Sequence, residues 1–112
     1  MLSKQGMAVQ GYLGLVPRKS TLVGGLRAIG KTADEAMRLF EDFRRLDDAG
    51  AHTVEVECVA SEALAEIKKY SQLVTHSIGS GSAGDVIFCC SWKTLGAMLN
   101  IRHAMPRLLA IC

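Results

Sequence analysis

The sequence predicts an α/β domain built on a parallel sheet, and three observations carry that expectation. Stretches with a period of two alternate along the chain with stretches of helical period. Helix-like segments stand between most of the strand-like ones, which is how parallel strands are joined. Glycine and proline gather between these segments, yet no internal repeat, low-complexity tract or linker divides the chain. Residues 1–112 therefore read as a single domain.

In order, Gly6 to Leu15 reads as a short strand running into a loop. Val16 to Lys31, with Pro17, Gly24, Gly25 and Gly30, is an irregular connection. Thr32 followed by Glu35 is a capping-box pattern. Behind it Ala36, Leu39, Phe40, Phe43 and Leu46 form one apolar stripe at three- and four-residue spacing. Asp34–Arg38 and Glu41–Arg45 sit four apart on the outer side, and Gly50 is placed to stop the helix.

His52 to Val59 switches to a period of two. Val54, Val56 and Cys58 are expected on one face, and Thr53, Glu55 and Glu57 on the other. Ser61 is placed to cap a second helix reaching Tyr70, with Leu64 and Ile67 inward. Leu73 to Ile78 reads as a strand, followed by a Gly/Ser loop and a β-rich stretch from Asp85 to Cys90. A last helical segment covers Trp92 to Leu99, and Pro106 breaks the tail. Three or four parallel strands with three helices cover both sheet faces poorly, so the chain looks like part of something larger.

Composition narrows the function. The net charge is +2 with scattered basic residues, which does not favour a nucleic-acid or membrane-surface partner. No apolar run approaches the ~20 residues of a membrane-spanning helix. The first residues, MLSKQGMAVQGYLG, do not read as a signal peptide. Cys58, Cys89, Cys90 and Cys112 form no CxxC pattern and read as reduced thiols, so a cytoplasmic protein is expected. His52, His76 and His103 lie too far apart for a local metal motif.

Two patterns could carry chemistry. Gly79 to Gly84 fits GxGxxG after a strand, the form of a dinucleotide cradle. That cradle needs a helix to open at the loop, whereas DVIFCC follows and reads as a strand, which favours a tight turn. Glu55 and Glu57 share one strand face. Either they are solvated carboxylates, or one is a general base at a strand end that opens on a pocket. Alternation prefers neither glutamate.

The stretch GYLGLVPRKSTLVGGLRAIGKT resembles the signature of the ketopantoate hydroxymethyltransferase family, G-H-L-G-L-T-P-Q followed by a GG-aromatic-x-x-x-GKT-like segment. DDAGAHTVEVECVASEALAEI is similar to that family's EAGA-(apolar)-LECVP-x-E-(apolar)-A-x-x-I. HSIGSGSAGDVIF is similar to its I-G-I-G-A-G…D-x-Q segment, and His103 to Arg107 to an H-(V/M)-P-R stretch. The matches fall in order across nearly the whole chain.

The resemblance implies a (β/α)₈ barrel of typically ~250 residues, of which this chain would be the C-terminal half, about four βα units. It implies transfer of a hydroxymethyl group from 5,10-methylenetetrahydrofolate to 3-methyl-2-oxobutanoate, giving 2-dehydropantoate for pantothenate synthesis. A Mg²⁺ ion would polarise the keto acid, Glu57 would be the general base, and a homo-oligomer is expected. Tyr12 stands where the family has a substrate-contacting His. Val16, Pro17 and Arg18 stand at T-P-Q, Asp85 matches, and Ile87 and Lys93 replace a Gln and an acidic residue. The family's metal-binding aspartates and a substrate-binding lysine belong to early strands that this chain does not contain. Two further readings stay open: a non-catalytic remnant or interaction module of the same fold, and a carbon–carbon lyase relative in the phosphoenolpyruvate-mutase-like barrel group. The LECVP-like match argues against the lyase.

Overall fold

A computed structural model describes residues 2–16, 21–22, 24–25 and 27–88. The expected helix from Trp92 to Leu99, with Lys93 and Pro106, lies outside the described residues. After a 3-10 turn at Leu2–Gln5 come β1 (Gln10–Gly14), α1 (Ala33–Asp48), β2 (Thr53–Glu57), α2 (Ser61–Lys68), β3 (Val74–Ile78) and β4 (Val86–Phe88). The four strands form one sheet in the order β1-β2-β3-β4, and all three pairings are parallel. The α/β fold with a parallel sheet is as expected.

Local chemistry explains most of these elements. Thr32 is extended at the N-cap, and its side chain accepts from the Glu35 backbone N–H at 3.2 Å. Glu35 does not close the reciprocal half of a capping box. Its carboxylate turns to the backbone N–H groups of Gly30 and Lys31 and to Arg27, and so clamps the preceding loop. Leu39 and Phe43 of the stripe are buried, and Glu41–Arg45 forms at 3.7 Å. Ser61 does not cap α2. Ala60 holds that place, and Ser61 opens the helix with its Cβ pressed against the backbone of Gly81.

Val54 and Val56 of β2 pack with Leu39 and Phe43 of α1 and Leu64 and Ile67 of α2, so both helices cover one face of the sheet. Burying such side chains is worth roughly 1.5–3 kcal/mol each. The opposite face carries no helix among the described residues. On it Tyr12, Val74, Val86 and Phe88 remain substantially exposed. Sequential strand order with helices on one face is how a barrel wall is built, whereas doubly wound sheets reverse order and cover both faces.

The link from β3 to β4 breaks the usual rule. Parallel strands ordinarily need a crossover of a dozen or more residues, yet Gly79 to Asp85 suffices here. The short β4 starts level with His76, so the loop must step back only part of β3. Its small residues let it lie flat on the helix-bearing face. A Cβ on Gly84 would stand 2.6 Å from Ser77 Cβ, and one on Gly81 would stand 2.6 Å from Ser61 Cβ. Thr75 and Ser77 are fully buried beneath the loop. Asp85 fastens its end by accepting from the Thr75 N–H and hydroxyl, both at 2.8 Å, and from Lys68 Nζ at 2.6 Å. No helix opens at this loop, so the GxGxxG pattern here forms a crossover and not a dinucleotide cradle.

Candidate functional site

Strand register sorts the side chains of the bare face into rows. Gln10, Thr53 and Val74 make the first row, Tyr12, Glu55, His76 and Val86 the next, and Gly14, Glu57, Ile78 and Phe88 the last. The two glutamates do share a face, as alternation requires. Their surroundings separate them. Glu55 sits mid-strand and accepts a hydrogen bond from Gln10 Nε2 at 3.1 Å. Glu57 is the final residue of β2, in a row whose other side chains are Ile78 and Phe88. Burial raises its pKa above the ordinary carboxylate value. A carboxylate that holds its proton more tightly is a stronger base once ionised.

The backbone at Glu57 is unusual. Cys58, expected to continue the alternation, instead takes a left-handed conformation with φ 49°, rare for a residue with a Cβ and costing about 1–2 kcal/mol. β2 therefore ends at Glu57. The chain turns there into an isolated parallel bridge between Val59 and Ile29, with Ile29 N–H donating to Cys58 O and Ala60 N–H to Ile29 O, both at 2.8 Å. Gly14 lies against the same turn. Leu15 N–H donates to Glu57 O at 2.8 Å, and a Cβ on Gly14 would collide with that oxygen. Only glycine lets β1 approach so closely at its φ of 93°.

Tyr12 lies on the same face, one row below Glu57 and beside Glu55. His76, which spacing alone did not single out, joins that row and meets Phe88 edge-on with ring centroids 5.7 Å apart. Its parity with Ile78 was the available signal. Asp85 lies on the other side of the sheet, engaged by Thr75 and Lys68. An apolar groove of about 480 Å³ runs between α1 and α2, lined in part by Met37, Phe40, Ile67 and Tyr70. It faces away from Glu57. No three His, Cys, Asp or Glu side chains converge among the described residues. The residues described here do not fit the Mg²⁺ site that the resemblance implies.

The arrangement suits proton abstraction. A single carboxylate stands at the carboxyl end of a parallel strand, where barrel active sites are assembled. Burial raises its proton affinity, and the face before it carries no helix among the described residues.

A family model described as ketopantoate hydroxymethyltransferase matches residues 1–105. The 3-methyl-2-oxobutanoate hydroxymethyltransferase of Cenarchaeum symbiosum (strain A) is 41% identical over 80 residues, covering 71% of this chain and 30% of that protein. That of Stutzerimonas stutzeri (strain A1501) is 35% identical over 102 residues, covering 91% and 38%. The 3-methyl-2-oxobutanoate hydroxymethyltransferase 1, mitochondrial, of Oryza sativa subsp. japonica is 36% identical over 101 residues, covering 88% and 27%. The chain spans about a third of the length of the curated relatives it matches.

Proposed function

This chain belongs to the ketopantoate hydroxymethyltransferase family, and we propose that it supplies the general base of the hydroxymethyl transfer for which its relatives are named. The chain is then the C-terminal half of a parallel βα barrel, a single partial domain whose four described strands turn their side away from α1 and α2 into the barrel. The observation that carries this reading is Glu57. It ends β2 on the face that carries no helix among the described residues, with its proton affinity raised by burial.

The substrate of the proposed reaction is 3-methyl-2-oxobutanoate. Glu57 takes the proton from C3, and the electron pair of the broken C–H bond passes into the keto group as an enolate. Water cleaves the two C–N bonds of the one-carbon unit of 5,10-methylenetetrahydrofolate, its two protons going to the freed nitrogens, and leaves tetrahydrofolate and formaldehyde. The enolate carbon bonds to the formaldehyde carbon, and the alkoxide that forms takes back the proton held by Glu57, giving 2-dehydropantoate. Tyr12, a row below, donates a hydrogen bond from its phenolic hydroxyl to the keto acid. The described residues do not fit a Mg²⁺ site, so no step is assigned through the ion. Among the described residues β1 and β4 are the edge strands, and pairing of those edges with further strands would complete the site, since an unpaired parallel edge invites pairing.

The test is exchange of the C3 hydrogen of 3-methyl-2-oxobutanoate into deuterated water, followed by proton NMR. A positioned base contributes about 10²–10⁴-fold, so Glu57→Gln should slow enzyme-dependent exchange by at least ~100-fold. Exchange that persists undiminished in Glu57→Gln removes Glu57 from the role. A purified chain that is monomeric and unfolded would favour the reading as a non-catalytic remnant.

A further inference from the structure

We infer that Ser80 is a positioning residue for Glu57: its buried hydroxyl bridges the backbone on both sides of the Glu57–Cys58 step and holds that step in the conformation that ends β2. The inference rests on the reading of Glu57 as the base. Ser80 is 1% exposed. Its Oγ donates to Val56 O at 2.9 Å, with Ile78 O farther away at 3.4 Å, and accepts from the Val59 N–H at 2.9 Å. Val56 and Val59 are the residues immediately flanking Glu57 and Cys58. One hydroxyl, with its donor and an acceptor lone pair both engaged, thus spans the two-residue step from a loop 21 to 24 residues away in sequence.

The step needs such a brace. Cys58 carries a side chain yet holds φ at 49°, a conformation that persists only where surrounding contacts over-determine it. Three other backbone bonds help: Cys58 N–H to Ile78 O at 2.9 Å, Leu15 N–H to Glu57 O, and Ile29 N–H to Cys58 O. None of them uses the Val59 N–H, a buried donor that costs free energy if left without an acceptor. The Ser80 hydroxyl fills that vacancy. It also gives the Gly/Ser crossover a purpose beyond turning the chain. Gly81 against Ser61 and Gly84 against Ser77 seat the loop so closely that Ser80 is carried under the end of β2.

The experiment reads Glu57 itself, in the full 112-residue chain, by carbon-13 NMR of its side-chain carboxyl during a pH titration. Amide hydrogen exchange at Val59 is measured alongside. In Ser80→Ala, loss of a buried hydrogen bond worth about 1 kcal/mol should speed Val59 exchange by roughly fivefold or more. The Glu57 titration midpoint should fall towards that of an ordinary carboxylate as the side chain swings towards water. Asp85, held elsewhere on the loop, should titrate as in the parent chain. Faster Val59 exchange with an unmoved Glu57 midpoint would overturn the inference, because Ser80 would then brace the fold and nothing more. Should Ser80→Ala not fold, Ser80→Thr decides, since it keeps the hydroxyl: a parental Glu57 titration sustains the inference and a lowered midpoint overturns it. Neither readout uses turnover. If Glu57→Gln retained C3 exchange, the base reading would fall while the hold of Ser80 on the carboxyl would still be measured.

Discussion

Replacing Asp85 with Asn tests how the β3–β4 crossover is fastened. The Lys68 ammonium at 2.6 Å, followed by the Thr75 N–H, holds the Asp85 carboxyl down at about 2, from an ordinary 3.8. At about 1.36 kcal/mol per pH unit, that displacement corresponds to at most about 2.4 kcal/mol. The Asp85 side chain is 44% exposed, so solvent screens much of the interaction and about 1 kcal/mol is the working expectation. Because the folded pKa is depressed, the unfolded chain binds more protons between about pH 4 and pH 2. The contribution is fully present above about pH 4 and disappears as pH falls through about 2. Asn keeps an oxygen for Thr75 and loses the charge. In urea, Asp85→Asn should be about 1 kcal/mol less stable than the parent at pH 6, a midpoint lower by about 0.3–1 M at ordinary slopes. The two curves should converge near pH 2. A difference of the same size at both pH values would refute the electrostatic account, and no difference at pH 6 would refute the fastening itself. Asp85→Ala should lose about 1–3 kcal/mol more, since it leaves the buried Thr75 N–H without its acceptor.

Two further outcomes follow from the end of β2. Gly14→Ala drives a Cβ into Glu57 O at a φ of 93°; it should cost at least about 3 kcal/mol, and a thermal midpoint within a few degrees of the parent would contradict the close approach. Glu57→Gln should stabilise the chain near neutral pH and leave it unchanged in acid. Burial raises the folded pKa of Glu57, so the parent suffers an ionisation penalty that sets in above the unfolded value and is complete above the folded one; thermal melts at pH 4 and pH 7 check the sign.

Much of the framework was legible from short-range patterns. The capping threonine, the Leu39–Phe43 stripe and the alternation of Val54 and Val56 with Glu55 and Glu57 all reflect neighbours within one turn or one pleat. Such rules hold whatever the rest of the chain does. The loop after β3 was also readable as a turn, because a strand-like run follows it. Ser61 illustrates the limit. Its type and place suit a cap, but Ala60 holds the cap position and Ser61 instead packs its Cβ close to Gly81. Cys58 is a sharper case. The period of two carried it on with the strand, and nothing local forecasts a left-handed turn at a residue with a Cβ.

The amino-acid sequence by itself determined a parallel α/β arrangement, its family and the strand face that holds Glu57. It could not choose between Glu55 and Glu57 by periodicity, because both satisfy the same pleat. The choice came from the family motif, and the tertiary structure then supplied a physical difference. Glu55 stays mid-strand beside Gln10, while Glu57 ends the strand level with Ile78 and is partly desolvated. Only folding brings Gly14, Ile29 and Ser80 to the Glu57–Cys58 step. Contacts spanning 21 to 43 residues depend on how strands and loops pack together, and no local pattern encodes them.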